Sequence, residues 1–151
     1  MKMFFLFTII SFHFSCGSDG PGTLGGLDVY TINSTSDYVT IKLDEFVAME
    51  NHHIPVEYKK YDNWNEKGYD FLTHWTIYYV ENDEPIMYWI SLNATESLPK
   101  ISIRSIFKFN SRQWILAKNV SSEDEEKYDA TFEKQIESQL GVGYKISEEN
   151  E

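Results

Sequence analysis

The chain has one cysteine in 151 residues. A single thiol closes no disulfide within a chain, although small exported domains commonly depend on several. The fold therefore has to stand on its hydrophobic core, which a chain of this length can supply. Long apolar runs are missing as well. The longest, residues 3–14, is about twelve residues, whereas a helix crossing a bilayer needs about 20. Cations are scarce: 13 Lys and Arg stand against 24 Asp and Glu. A field of that sign repels phosphate backbones and anionic surfaces, so nucleic acid is not an expected partner. No G-x-S-x-G, phosphate-binding loop or dinucleotide-binding glycine pattern occurs. Glycine is not scarce but is unevenly placed, with five of eight between Gly17 and Gly26.

What is present begins at the first residue. Met1-Lys2 is a charged start, and Phe4, Phe5, Leu6, Phe7, Ile9, Ile10, Phe12 and Phe14 follow. Ser15-Cys16-Gly17-Ser18 then supplies small residues. Charge, short apolar stretch and small residues together make residues 1–15 an export signal. An unpaired cysteine in an exported protein needs a reason, and lipid attachment at Cys16 supplies one.

Residues 1–20 resemble the signal and lipobox of bacterial lipoproteins, with Ser15 before Cys16 and Gly17 after it. That resemblance implies a Cys16 that becomes the first mature residue, carries acyl chains and holds the protein on a membrane. Gly17 is not the Asp with which the family retains proteins on the inner membrane, so the resemblance implies the outer membrane of the cell envelope. The family prefers Leu three residues before the cysteine and a small or branched residue two before; His13 and Phe14 stand there. Ser15 and Gly17 also suit ordinary signal-peptidase cleavage, which would yield a soluble secreted binding protein. Loss of Lys2 with the leader leaves 12 cations against 24 anions, a balance of −12. Asn33, Asn93 and Asn119 head Asn-x-Ser/Thr triplets, which are glycan acceptors in a eukaryotic secreted chain and carry no meaning in a bacterial one.

The glycine-rich stretch makes residues 16–36 a flexible tether with a reach of roughly 25 Å. Residues 37–147 read as a single domain and 148–151 as an acidic tail. Residues 38–43 alternate and are rich in branched side chains, which predicts a strand. Residues 44–70 are the least legible, and Pro55 argues against one continuous helix there. Residues 71–80 and 85–92 flank the polar Glu81-Asn82-Asp83-Glu84 and predict a hairpin that pairs Tyr79 with Ile86, Ile77 with Tyr88 and Trp75 with Ile90. A second predicted hairpin joins residues 101–109 to 112–118. Its register sets Ile101, Ile103, Phe107, Phe109, Trp114 and Leu116 on one side, and Ser102, Arg104, Ile106, Lys108, Gln113 and Ile115 on the other. Ser122 with Glu125 reads as a capping box, Tyr128, Phe132, Ile136 and Leu140 as a helical apolar stripe, and Gly141 as its stop. The expected fold is α+β: an antiparallel β-meander of four to five strands, one face packed on a C-terminal helix.

Candidate chemistry is thin. Glu50, His52, His53 and Glu57 carry possible metal ligands, but neighbouring histidines point apart in extended chain and Pro55 breaks a helical pairing, so a solvated loop is expected there and no metal or cofactor. The acidic pairs Asp44-Glu45 and Asp83-Glu84 and the run 123–126 fall in turns or at a helix start, where nothing dry raises a carboxyl pKa for acid–base work. His74, Tyr78, Met87, Trp89 and Arg104 share the second face of the sheet. Tyr, Trp and Arg are enriched at binding hot spots, which makes His74, Tyr78, Trp89 and Arg104 the candidate binding residues. The competing reading is a second core face, covered by residues 44–70 with Tyr58, Tyr61 and Trp64. The functional expectation is a non-enzymatic, lipid-anchored envelope protein that binds a protein or small ligand. An alternative is a periplasmic inhibitor or immunity-type lipoprotein against a toxin or hydrolase, its acidic surface suiting a basic partner.

Overall fold

The computed structural model describes residues 27–94 and 97–147. The expected leader, Cys16, the first part of the expected tether and the acidic tail lie outside the described residues. The fold is α+β. Strands β1 (Val29–Ile32), β2 (Thr73–Glu81), β3 (Glu84–Asn93), β4 (Lys100–Lys108), β5 (Gln113–Leu116) and β6 (Tyr144–Ser147) form one antiparallel sheet. Its order is β2-β3-β4-β1-β6, with β5 also paired to β4. Helices α1 (Ser36–Val47) and α2 (Ser122–Leu140) complete it.

The β2–β3 hairpin forms as its sequence dictates. Asn82 and Asp83 both have positive φ, 51° and 65°, the geometry a two-residue type I′ turn requires and that Asn and Asp tolerate. The ladder then runs without a break from Glu81–Glu84 to Thr73–Leu92, and pairs Tyr79–Ile86, Ile77–Tyr88 and Trp75–Ile90 are those expected.

Two expectations fail for local reasons. Residues 38–43 are helical, not a strand: they lie inside α1. Thr35 caps that helix by accepting from the Tyr38 N–H. Val39, Leu43 and Phe46 then fall on one buried stripe, a 3.6-residue period that a six-residue window cannot separate from alternation. The expected tether is also too long, because Val29–Ile32 pairs with both β4 and β6.

The second hairpin turns over where a bulge intervenes. Trp89 pairs with Ser105 but Ile90 with Ile103, so β4 carries Arg104 as an extra residue. One added residue sends all later side chains to the opposite face. Ile106 therefore joins Ile101 and Ile103 toward the helices. Phe107, paired with Trp114, turns to the other face rather than sharing one with Ile101.

α2 starts one residue earlier than its sequence suggests, at a cap made by Ser121, whose hydroxyl accepts from the Asp124 N–H. It ends at Gly141 with φ 59°, the left-handed position that glycine adopts without strain. Phe132 and Leu140 are buried and Tyr128 is half-buried. Phe132 sits 5.2 Å from the Tyr30 ring and 5.4 Å from that of Tyr88. Burying side chains of this size contributes about 1.5–3 kcal/mol each, whereas the exposed pair Lys127–Glu84 adds little. The apolar stripe, not the charge, holds α2.

One carboxylate lies beneath that helix. Asp129 is buried and accepts a 3.0 Å hydrogen bond from the Tyr30 hydroxyl. Burial pushes its pKa from 3.8 to about 6; the Tyr30 hydrogen bond opposes the shift, and the negative charges of Asp28 and Glu125 add to it. A carboxyl whose folded pKa is raised binds its proton more tightly in the native state. Stability from this group is therefore full below about pH 4 and is lost as pH rises toward 6. Asn at 129 has no such titration. Asp129→Asn should gain on the native protein by up to about 3 kcal/mol between pH 4 and 7, read by urea unfolding at both pH values. Parallel curves would refute it.

Candidate functional site

The second face of the sheet is aromatic and covered. Residues 55–70 cross it as a series of short turns carrying Tyr58, Tyr61, Trp64 and Tyr69. Trp64 lies flat on Trp89, ring centroids 3.8 Å apart and planes 7° from parallel. Tyr69 meets Trp89 edge-on at 5.0 Å, and Trp114 meets Trp64 at 5.1 Å. Trp114 Nε1 donates to the Tyr61 carbonyl oxygen at 2.9 Å and pins the segment down. Tyr58 packs against Phe107 and Phe109.

This arrangement corrects the expectation of an exposed binding face. Trp89 is fully buried. Arg104 is half-buried in the bulge, where its Nε donates to Ser91 Oγ at 2.7 Å. Tyr78 lies half-buried near Tyr58 and Phe109, and burial, with Tyr58 and Glu57 beside it, raises its pKa. His74 borders one of the hollows of the described residues. The segment 50–57 is likewise not uniformly solvated. His52 is buried with its ring 3.9 Å from that of Phe46 and its Nδ1 3.0 Å from the Phe46 carbonyl oxygen. His53 is exposed and turns back to the Ala48 carbonyl oxygen. Among the described residues no group of three or more His, Cys, Asp or Glu is placed to hold a metal ion.

The opening lies along β2. Two adjoining hollows of about 430 and 300 Å³ share Asp62, Trp75 and Thr76. The first is walled by Val47, His52, His53 and Lys59, the second by Trp64, Asn65, Glu66 and His74. Successive strand residues point to opposite faces. A hollow touched by His74, Trp75 and Thr76 in succession therefore reaches the margin of β2, between the strand and residues 62–66.

Its polar groups are organised in two separate pairs. Thr76 Oγ1 donates to Asp62 Oδ1. His74 Nε2 lies 3.0 Å from Asn65 Oδ1; with the amide oxygen as acceptor, Nε2 carries the proton and Nδ1 the lone pair. Burial lowers the His74 pKa against the opposing pull of Asp62, so the ring is neutral at pH 7. On the core side, Trp75 Nε1 donates to Asp44 Oδ1 at 2.8 Å and fixes the floor against α1. Because His74 is bonded to an amide and the Thr76 hydroxyl to a different acid, these groups make no proton relay. They offer hydrogen-bond donors, acceptors and negative charge to a guest.

Asp62, Asn65, Thr76 and Trp75 were not legible as site residues. The spacing of Tyr58, Tyr61 and Trp64 signals a packing segment, but nothing local marks β2 as an edge strand. Comparison with protein-family models, curated proteins and solved structures returned no match for this chain.

Trp89 is structural by this geometry. Trp89→Ala should cost about 3–5 kcal/mol in urea unfolding. Trp89→Phe should cost much less, since a ring remains and the buried Nε1, which has no hydrogen-bond partner among the described residues, is removed. Equal losses for the two variants would contradict the stacked role.

Proposed function

We propose that this chain is a lipid-anchored, non-enzymatic protein of the bacterial cell envelope, held on the outer membrane, whose domain binds a protein or small ligand along the edge of β2. The carrying observation is the lone Cys16 directly behind a charged, apolar leader. The described fold begins at Leu27, about ten residues after Cys16, five of them glycine. The hollows at β2 are of ligand-site size, and their paired polar groups suit recognition better than proton transfer. No step of catalysis is assigned to them.

The acidic balance of the mature chain, −12, favours a second reading within the same class. An inhibitor or immunity-type lipoprotein would meet a basic toxin or hydrolase through this field, with association that weakens as salt rises.

Anchoring has a direct test in the native host. Cys16→Ala should abolish labelling by a fatty-acid probe and release the protein from membranes. The mass of the mature N-terminus should correspond to an acylated Cys16. Unmodified cysteine, or full membrane retention of the variant, would sink the reading.

A further inference from the structure

The sheet has edges of very different character. β5 and β6 are four residues each, and β6 carries Lys145. β2 is nine residues long, Thr-His-Trp-Thr-Ile-Tyr-Tyr-Val-Glu, with no Lys, no Pro and no bulge against β3. Natural edge strands of that length normally carry such guards, because unpaired N–H and C=O groups template pairing with another chain; here residues 47–66 pass beside Trp75 and Thr76 but leave the two hollows between themselves and the strand.

Which groups face outward follows from the turn. In a two-residue hairpin the pair flanking the loop, Glu81–Glu84, is hydrogen-bonded, and bonded pairs then alternate with unbonded ones. Tyr79, Ile77, Trp75 and Thr73 thus direct their backbone groups to β3. Val80, Tyr78, Thr76 and His74 direct theirs to the open side. Pro85, opposite Val80, fits this register, since it occupies an unbonded pair and forfeits no bond to β2. Among the described residues, no backbone group outside β3 bonds to β2. The hollow of about 300 Å³ lies beside the outward backbone groups of His74 and Thr76, and Asp62 and Glu66 supply its charge with no Lys or Arg in its wall. The nearby Lys67 is drawn instead over the Trp64 ring, 4.4 Å from its centroid.

We infer that the outer edge of β2 accepts an extended peptide segment of a partner protein as an added strand, with a Lys or Arg side chain of that segment entering the hollow beside Asp62 and Glu66. Main-chain bonds to His74, Thr76 and Tyr78 supply affinity, and the carboxylates select the cation. This deepens the binding role proposed above and rests on it.

The test pans random peptides displayed on phage against the full chain. Enriched peptides should carry a central Lys or Arg among β-branched residues. Binding of the best synthetic peptide should weaken about tenfold in Thr76→Pro, which deletes an outward N–H, and stay near native in Lys145→Ala on β6, at the opposite margin of the sheet. Asp62→Asn combined with Glu66→Gln should weaken it by a similar factor. In the unaltered chain, hydrogen exchange at the amides of His74, Thr76 and Tyr78 should slow on peptide addition, a readout that needs no variant to fold. Peptides without a cation, binding indifferent to Thr76→Pro, or unchanged exchange at those amides would overturn the inference while leaving a binding role at another surface. Failure to enrich any peptide would overturn it too, with the anchor judged separately by Cys16 labelling. A dimer that dissociates in Thr76→Pro would assign the edge to a second copy of this chain and likewise overturn it.

Discussion

Every residue of β3 from Ile86 to Leu92 is buried. Side chains of a strand alternate between faces, so burial of seven consecutive positions demands cover on both sides of the sheet. Most of the molecule answers that demand. α1 and α2 lay Val39, Leu43, Phe46, Phe132 and Leu140 over Tyr88 and Ile90. The turns of 55–70 lay Trp64 over Trp89 on the opposite face. With both layers in place the sheet has two cores, a mixed aliphatic and aromatic one under the helices and an almost wholly aromatic one under residues 55–70. The bulge at Arg104 serves the second, turning Phe107 toward it while Ile106 continues the first.

The same arrangement explains where an opening is left. Residues 55–70 must come from α1 and reach the middle of the sheet, so they cross β2 from outside. Crossing leaves a trench between the segment and the strand edge, bridged by Thr76–Asp62 and His74–Asn65. The trench is a by-product of covering β3, yet it holds the polar groups a guest would need and borders the one long strand edge in the described sheet.

Legibility tracked how local each determinant is. The β2–β3 register was readable because Asn82-Asp83 and the flanking alternation specify it within twenty residues. The stop at Gly141 was readable for the same reason. The α1 segment was misread because its branched residues suit a strand, and only burial of Val39, Leu43 and Phe46 against Ile77 and its neighbours selects the helix. Of the four candidate binding residues, His74 borders a hollow, while Trp89 lies on the second face as read but under Trp64, the covered alternative; Tyr and Trp on an outer sheet face look alike in sequence whether exposed or overlain. Asp62, Asn65 and Thr76 carried no signal, because their proximity spans an irregular segment with no periodicity.

By itself, the amino-acid order determined the class of fold, the first hairpin with its turn, the apolar stripe of α2 and the need for a core without disulfides. These follow from turn chemistry, period and thiol count, all of which act over short stretches of chain. Tertiary structure alone decided that α1 is a helix, that β1 lies inside the sheet, that the β4 bulge exchanges its faces, and that β2 ends up at the margin. Each of those depends on which segments become neighbours, and free energy from burial between distant residues settles that choice.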